Sequence, residues 1–201
     1  MKIVKIGNQE WMVKNLNVST FRNGDPITEA KSDEEWEKLG GEGKPAWCYY
    51  ANDKANDAKY GKLYNWYAVN DPRGLAPAGW HVPSDAEWKE LEMCLGMNQL
   101  AADDIGYRGT DEGDKMKETG TAHWQSPNNA NNESNLSVLP GGYRFNNGYY
   151  HGMGGYAAFW SSTEYGSRPT AWSRGLSYDS SVVLRRDDGK PSGFSVLCVR
   201  D

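Results

Sequence analysis

Nine tryptophans and twelve tyrosines, spread over 201 residues, are the feature that most limits how this chain can fold. Hydrophobic residues make up only 38% of the sequence, so the aromatic side chains carry a large part of its apolar surface. One buried aromatic side chain removes about 150–250 Å² from water, and a few of them stabilise an otherwise polar chain. A chain of this length forms one core of substantial size, and no repeat or linker divides the sequence. We therefore predict a single domain over residues 1–201 with an aromatic-rich core.

Two capping-box patterns predict where helices begin. Ser32 precedes Glu35, and Ser84 precedes Glu87, in each case by three residues. At this spacing the hydroxyl and the carboxylate can each accept a hydrogen bond from a backbone N–H that the first helical turn leaves free. Trp and Leu residues follow both boxes at helical spacing, and a glycine follows each run. The sequence therefore predicts two short amphipathic helices whose Trp and Leu faces pack against a sheet.

Most of the other apolar residues lie in short runs that are typical of strands. These runs cover residues 2–6, 10–13, 47–50, 181–185 and 194–199. Residues 106–155 are instead rich in Gly, Asn, Pro and Ser and predict a long, ordered loop region, held to the core by Trp124, Tyr143, Phe145 and Tyr156. The predicted fold class is α+β, with short twisted antiparallel strands, two short helices and long ordered loops.

Charge and hydropathy limit the partners. The formal net charge is −5, with acidic and basic residues interspersed, whereas a nucleic-acid-binding protein usually has a clustered basic face. No apolar run approaches the roughly 20 residues of a membrane span, and the first residues lack the apolar stretch of a signal peptide. We expect no nucleic-acid partner, no membrane span and no export signal in the chain as given.

The sequence does not favour a catalytic centre. His81, His123 and His151 show no paired-ligand spacing, so a zinc or iron enzyme is not expected, and His81 is interpreted as a structural residue before the second helix. There is no nucleophile elbow, P-loop or dinucleotide-binding motif. Hydrolase and nucleotide-binding hypotheses therefore have no positive support.

The cysteines and the oxygen-rich loops leave two alternatives open. Cys48, Cys94 and Cys198 are widely spaced and are predicted to be small buried residues; a disulfide, for instance between Cys48 and Cys198, is the alternative. No cofactor is expected. The alternative is Ca²⁺ on the loops at 111–114 and 128–135, although asparagine-rich loops are also typical of ordinary turns.

Six ordered strings resemble those of a known family. They are IGNQEWM at 6–12 with NLN at 15–17, YGKLYNW at 60–66, GWHVPS at 79–84 with EW at 87–88, LPGGYR at 139–144, FWSST at 159–163, and GFSV at 193–196 with CVR at 198–200. Over about residues 3–201 the chain resembles the Fibrobacter succinogenes major paralogous domain. That resemblance implies a C-type-lectin-like fold, shared with formylglycine-generating enzymes, and an extracellular or cell-surface protein of the Bacteroidetes type. The enzyme's activity is not implied, because it needs a cysteine pair near the C-terminus, where this chain has only Cys198.

The C-terminal segment is also similar to the variable region of target proteins of diversity-generating retroelements. This second resemblance implies a hypervariable binding face on residues 160–188. The candidate ligand-binding residues are Tyr165, Ser167, Arg168, Trp172, Arg174, Tyr178, Asp179, Ser180, Ser181, Val183 and Arg185. Their Tyr, Ser, Asp and Arg content is typical of paratopes. The competing interpretation, strongest for Trp172 and Val183, is that they are ordinary strand residues of the core.

The leading hypothesis is a non-catalytic recognition module, of the adhesin or receptor-binding type, on a cell surface or a phage particle. It would bind a protein or glycan ligand through the C-terminal polar and aromatic face. One alternative is an enzyme that acts on carbohydrate, which a pocket holding a histidine within hydrogen-bond reach of a carboxylate would favour. The other is a structural surface module without a ligand, which burial of Tyr165, Arg174 and Tyr178 would favour.

Overall fold

A computed structural model describes residues 2–201 and has the predicted α+β class. Its α-helices are α1 (Asp33–Gly41), α2 (Asp57–Tyr60), α3 (Trp66–Val69), α4 (Asp85–Cys94), α5 (Gln99–Asp103) and α6 (Glu112–Met116). Its strands are β1 (Ile3–Ile6), β2 (Gln9–Met12), β3 (Thr28–Glu29), β4 (Ala46–Cys48), β5 (Leu63–Tyr64), β6 (Trp80–His81), β7 (Gly106–Arg108), β8 (Gly141–Arg144), β9 (Tyr150–Met153), β10 (Tyr156–Glu164), β11 (Thr170–Ser177), β12 (Val183–Gly189) and β13 (Val199–Arg200). Short 3₁₀ turns occupy Tyr50–Asn52 and Lys54–Asn56.

The strands form three sheets. The largest has the order β7-β12-β11-β10-β8-β9, the second β1-β2-β13-β6 and the third β3-β4-β5. Most neighbours are antiparallel, as predicted, but β8 and β10 are parallel, and so are β3 and β4. The long strands β10, β11 and β12 form the centre of the largest sheet.

The two predicted helices are present, and local chemistry explains where they begin. At α4 the capping box is complete: Ser84 accepts from the backbone N–H of Glu87, and the Glu87 carboxylate accepts from that of Ser84. At α1 only half of the box forms, because the Glu35 carboxylate accepts from the backbone N–H of Lys31 instead. The sequence did not predict the four further helices of four or five residues, because they are too short to show a helical period.

The core is aromatic, as predicted, and β10 divides it. Alternate side chains of a strand point to opposite faces of its sheet. Accordingly, Trp160 joins a cluster in which it stacks on Phe194 at 4.3 Å, while Phe159 joins a second cluster with Trp11 and Trp88. Helix α4 packs against this second face of the largest sheet, with ring centroids of Trp88 and Phe159 5.7 Å apart. One face of the sheet is thus covered by α4.

Two predictions about loops need correction. Residues 194–199 do not form a continuous strand, because their backbone bonds in turn to Tyr64, to Ala158 and to Met12, and so connects the three sheets. Residues 106–155 are not all loop but include β7, α6, β8 and β9. Of the aromatic residues expected to hold this region to the core, Trp124 is buried, whereas Phe145 is exposed.

The three cysteines are all free thiols, so the alternative of a disulfide is not realised. Cys48 and Cys198 are buried, as predicted, but Cys94 at the end of α4 is exposed. Within residues 2–201 no helix has the length and apolar character needed to cross a bilayer.

Candidate functional site

The two faces of the largest sheet have different environments, and the strand register assigns each residue of the C-terminal segment to one of them. Arg174 pairs with Arg185 across β11 and β12, and Ser173 pairs with Arg186. Because paired residues share a face and successive residues alternate, Arg174 and Arg185 lie on the α4 side and Arg186 on the opposite side. The opposite side is partly covered by the cluster of Trp160 and Phe194, and we call the part that this cluster leaves uncovered the open face.

Three of the eleven candidate residues lie buried on the α4 side. Val183 is fully buried, Arg174 is 1% exposed and Arg185 is 5% exposed. A ligand at the surface cannot contact side chains in these positions, so the predicted face loses them. The physical reason is that both arginines have ion-pair partners on α4.

A buried ionic cluster joins the sheet to α4. Glu92 is fully buried and accepts from Arg174 at 2.7 Å and from Arg108 at 2.6 Å. Asp85 accepts from Arg174 at 2.9 Å and from Arg185 at 2.8 Å. Burial alone would raise the pKa of Asp85. The hydrogen bond from Arg185 and the charges of Arg174 and Arg185 lower this pKa by more than burial raises it, so the net shift is downward. The cluster holds three guanidinium groups against two carboxylates, and its role is structural.

The other candidate residues are divided between the two ends of β11. Tyr165, Ser167, Arg168 and Trp172 lie at or beside the turn from β10 to β11, where the rings of Tyr165 and Trp172 meet edge to face at 4.6 Å. Tyr178, Asp179, Ser180 and Ser181 lie at the turn from β11 to β12. Strand β11 has eight residues, so roughly 25 Å separates the two groups. The candidate residues therefore do not form one site.

A cleft of about 520 Å³ lies on the open face, on the side of the second group. Strands β7 to β12 and the adjoining turns line it with five tyrosines, one arginine, one histidine and small or polar residues. These are Tyr50, Tyr107, Gln125, Tyr143, His151, Gly152, Met153, Gly155, Tyr156, Ser177, Tyr178, Leu184 and Arg186. Tyr178 is the one candidate residue among them. We call this the tyrosine cleft.

Glycines make room for the rings of the tyrosine cleft. A β-carbon on Gly175 would lie 1.8 Å from the hydroxyl oxygen of Tyr156, and one on Gly142 would lie 2.6 Å from the Tyr50 ring. Tyr143 packs edge to face against Tyr156, with ring centroids 5.6 Å apart. The arrangement needs backbone without side chains directly beneath aromatic rings.

Several polar groups of the tyrosine cleft have no partner in the part of the chain that the structure describes. Arg186 donates from Nε to Asp188 at 2.9 Å, but its two Nη atoms form no hydrogen bond with residues 2–201. The hydroxyls of Tyr143, Tyr156 and Tyr178 likewise form no hydrogen bond with residues 2–201. Burial raises the pKa of Tyr156, which keeps this hydroxyl a proton donor at neutral pH. The cleft thus presents both aromatic faces and available donors.

Sequence reasoning missed most of the tyrosine cleft. Tyr143 and Tyr156 were recognised only as aromatic residues of a loop region, and Tyr107 and Arg186 were not considered. The available signal was the alternation of side-chain direction along β11 and β12, which places Ser173 and Arg186 on one face of the sheet and Arg174 and Arg185 on the other. Alternation defines two faces but does not say which of them is covered.

The histidines with carboxylate partners lie outside the tyrosine cleft. His81 contacts Glu87 at 2.7 Å and Asp201 at 2.8 Å, and His123 contacts Glu118 at 2.7 Å. His151 lines the cleft and packs against Tyr143, but among residues 2–201 no carboxylate lies within hydrogen-bond reach of its ring. The arrangement that would favour an enzyme is therefore not assembled in the tyrosine cleft; it occurs at His81, which contacts Glu87 and lines a smaller cavity of about 210 Å³.

The loops considered for Ca²⁺ come together around a lysine. Asp114 and Asn129 meet Asp179 and Ser180 at a small pocket of about 120 Å³. The buried ammonium of Lys117 contacts three oxygens there: it lies 3.0 Å from the Asp114 carboxylate and donates at 2.8 Å to the carbonyls of Ser177 and Ser180. Of the predicted loops, the Asp114 carboxylate already has a cationic partner, and no group of three His, Cys, Asp or Glu side chains suited to a metal occurs within residues 2–201.

Fold and site together define an α+β domain with an aromatic, concave surface of the size that binds small ligands. The chain belongs to the Fibrobacter succinogenes major domain family, whose model matches residues 4–200. No curated protein matches the chain. No solved structure matches it either.

Proposed function

We propose that this domain is a non-catalytic recognition module, of the adhesin or receptor-binding type, which binds a protein or glycan ligand through the tyrosine cleft. The observation that carries the proposal is the set of unpartnered polar groups between aromatic rings: the Arg186 Nη atoms and the hydroxyls of Tyr143, Tyr156 and Tyr178. Sites that bind small ligands typically combine apolar walls with a few converging polar groups.

The rest of the molecule supports this interpretation by contrast. Within residues 2–201, only four buried side-chain nitrogen or oxygen atoms lack a hydrogen-bond partner. Buried polar groups are thus almost all paired, as folding requires, whereas the polar groups of the tyrosine cleft are accessible to solvent and have no partner within residues 2–201. Several available donors that lie together in one concave surface favour a ligand-binding module over a purely structural one.

An enzyme that acts on carbohydrate is the weaker candidate. General acid or base catalysis needs a titratable group positioned at the substrate, and its pKa is usually tuned by a charged neighbour. In the tyrosine cleft, His151 has aromatic neighbours, and the carboxylate of Asp188, beside Arg186, already accepts from Arg186 and from Ser173. We therefore propose binding without turnover.

The lectin-like fold and the retroelement variable region enter here as proposals as well. A lectin-like scaffold with a C-terminal binding face is compatible with the tyrosine cleft, to which β11, β12 and Tyr178 contribute. A cell-surface or phage-particle location would suit a recognition role. We propose no cofactor, because the Asp114 carboxylate, which would be a central Ca²⁺ ligand of these loops, contacts the ammonium of Lys117.

The test is an array of glycans and surface proteins, screened with a matched pair of tyrosine variants. Tyr107 lines the tyrosine cleft and is 67% exposed; Tyr149 does not line it and is 66% exposed. Either side chain can be removed with little effect on folding, since surface substitutions usually change stability by less than about 0.5 kcal/mol. We expect Tyr107→Ala to weaken binding at least tenfold and Tyr149→Ala to leave it unchanged.

Other outcomes of this screen would point elsewhere. Equal binding by both variants and the parent chain would place the ligand outside the tyrosine cleft. Loss of binding in Tyr165→Ala alone would support the group of residues at the turn from β10 to β11. An array on which no ligand is bound would favour the structural module.

A further inference from the structure

We propose that the ligand of the tyrosine cleft is a sugar that carries an anionic group, a carboxylate or a sulfate ester, and that the guanidinium of Arg186 binds this group. The inference rests on the proposed function, because it names the ligand class of the same site.

Arg186 is held in place from one side only. Its Nε donates to Asp188 at 2.9 Å, and the same carboxylate oxygen accepts from the Ser173 hydroxyl at 2.6 Å. The Arg186 side chain is nevertheless 39% exposed, and its Nη atoms have no partner among residues 2–201. A guanidinium with a fixed Nε and two available Nη donors matches the planar, bidentate geometry of an oxyanion.

The charge of the cleft is opposite in sign to that of the chain. Arg186 is the one Asp, Glu, Lys or Arg residue among those lining the tyrosine cleft, whereas the chain as a whole has a formal net charge of −5. Burial alone would lower the pKa of Arg186. The charge of Asp188 and the nearby Tyr156 raise this pKa by more than burial lowers it, so the side chain stays charged. Asp188, which pairs with the Arg186 Nε, does not line the cleft, so the charged group that faces a ligand there is the guanidinium, which favours an anionic ligand over a cationic one.

The remainder of the tyrosine cleft suits a sugar ring better than a protein surface. A protein interface buries roughly 800 Å² on each partner, usually over a broad surface, whereas a concave space of about 520 Å³ lies in the range for small ligands. Tyr107 and Tyr178 offer ring faces on which the C–H face of a sugar can pack, and the free tyrosine hydroxyls and the Gln125 amide can bond to sugar hydroxyls. The cleft is thus built for an amphipathic ring with an acidic substituent.

The experiment titrates the full chain with three kinds of oligosaccharide probe: oligogalacturonides, galactose oligosaccharides of the same length, and sulfated galactose oligosaccharides. Calorimetry or side-chain NMR of arginine reports binding. We expect at least one anionic probe to bind tenfold or more tightly than the neutral one, and its affinity to fall as salt rises. The carboxylate and sulfate probes distinguish the two sources of anionic charge.

A matched pair of arginine variants tests the assignment. Arg186→Gln should abolish the preference for the anionic probe, whereas Arg168→Gln, which removes the same charge from an exposed arginine outside the cleft, should preserve it. Arg186→Lys should retain only part of the preference, because an ammonium lacks the planar pair of donors. Thermal unfolding of each variant checks that the fold is intact.

The outcomes separate this inference from the proposed function. If neutral and anionic probes bind equally well, and Tyr107→Ala weakens the binding of both, the inference of an anionic ligand is overturned, but the tyrosine cleft remains a binding site. Binding of a peptide in the cleft, with no sugar bound, would overturn the sugar and keep recognition. If no probe binds, and array ligands bind equally well to the parent chain and Tyr107→Ala, both proposals are wrong.

Discussion

The ring of Tyr156 lies directly over Gly175, so closely that a β-carbon on this glycine would stand 1.8 Å from the tyrosine hydroxyl oxygen. The two residues belong to neighbouring strands of the largest sheet, β10 and β11. The glycine thus determines where the Tyr156 ring can lie, and through it the shape of the tyrosine cleft. No other side chain at position 175 is compatible with this arrangement.

Gly175→Ala should therefore displace Tyr156 and destabilise the protein by about 1–3 kcal/mol, the usual cost of overpacking. Urea unfolding measures the change. Gly41→Ala is the control, since nothing lies within 4 Å of its β-carbon position in α1, and it should be neutral or stabilising by up to about 1 kcal/mol. Adding Tyr156→Phe to Gly175→Ala should recover part of the lost stability, because it removes the hydroxyl that meets the new methyl group. A double-mutant cycle that shows no coupling between the two positions would contradict the contact.

Glu92→Gln should destabilise the protein by about 3–5 kcal/mol, because it leaves the buried guanidinium groups of Arg108 and Arg174 without a full counter-charge. The change preserves the shape of the side chain, so packing loss contributes little. Glu90→Gln on the same helix is the control, as Glu90 forms no ion pair with residues 2–201, and it should change the free energy of unfolding by less than about 0.5 kcal/mol. Equal effects of the two variants would show that the cluster does not secure α4.

His81 should make a small contribution to stability that depends on pH. Partial burial lowers the pKa of the imidazole, but the hydrogen bonds that it donates to the carboxylates of Glu87 and Asp201 raise the pKa more, and the net shift is upward. A group whose folded pKa exceeds its unfolded value of about 6.5 stabilises fully below that value, and the gain is lost as pH rises through the folded pKa. Because the His81 side chain is 38% exposed, the gain should stay below about 1 kcal/mol.

The measurement is the free energy of unfolding from pH 5.5 to 8.5 for the parent chain and for His81→Gln. The parent should lose stability relative to the variant as pH rises above about 6.5. Asp201→Asn should reduce the step without removing it, because Glu87 remains in contact with His81. Parallel curves for the parent and His81→Gln would rule out this linkage.

Thiol labelling should distinguish the three cysteines. Burial raises the pKa of Cys198 to about 12 and raises that of Cys48, so both remain protonated and inaccessible, whereas Cys94 is exposed. We expect a thiol reagent such as dithionitrobenzoate to react with one thiol in the native protein and with three in denaturant. Cys94→Ser should abolish the native reaction, and two reactive thiols in the native state would contradict the burial of Cys48 or Cys198.

Local signals in the sequence predicted the elements that depend on short-range chemistry. The hydroxyl of Ser84 and the carboxylate of Glu87 specify the start of α4 through neighbouring backbone groups, and the structure has the helix there. Likewise, the shortage of aliphatic residues implied an aromatic core, which the clusters around Trp160 and Trp88 provide. In contrast, the segment at 194–199 is apolar but forms no continuous strand, because its hydrogen bonds go to three different sheets.

The sequence by itself determined the α+β class, the two main helices and the aromatic core, since these depend on spacing within a few residues. Only the tertiary structure decided which side of β11 and β12 is covered by α4. Arg185 and Arg186 are adjacent in sequence, yet the first pairs with Asp85 in the interior and the second faces the tyrosine cleft. A strand with a period of two presents both faces equally, and only long-range packing, of α4 on one face and of the Trp160 cluster on part of the other, decides which residues stay accessible.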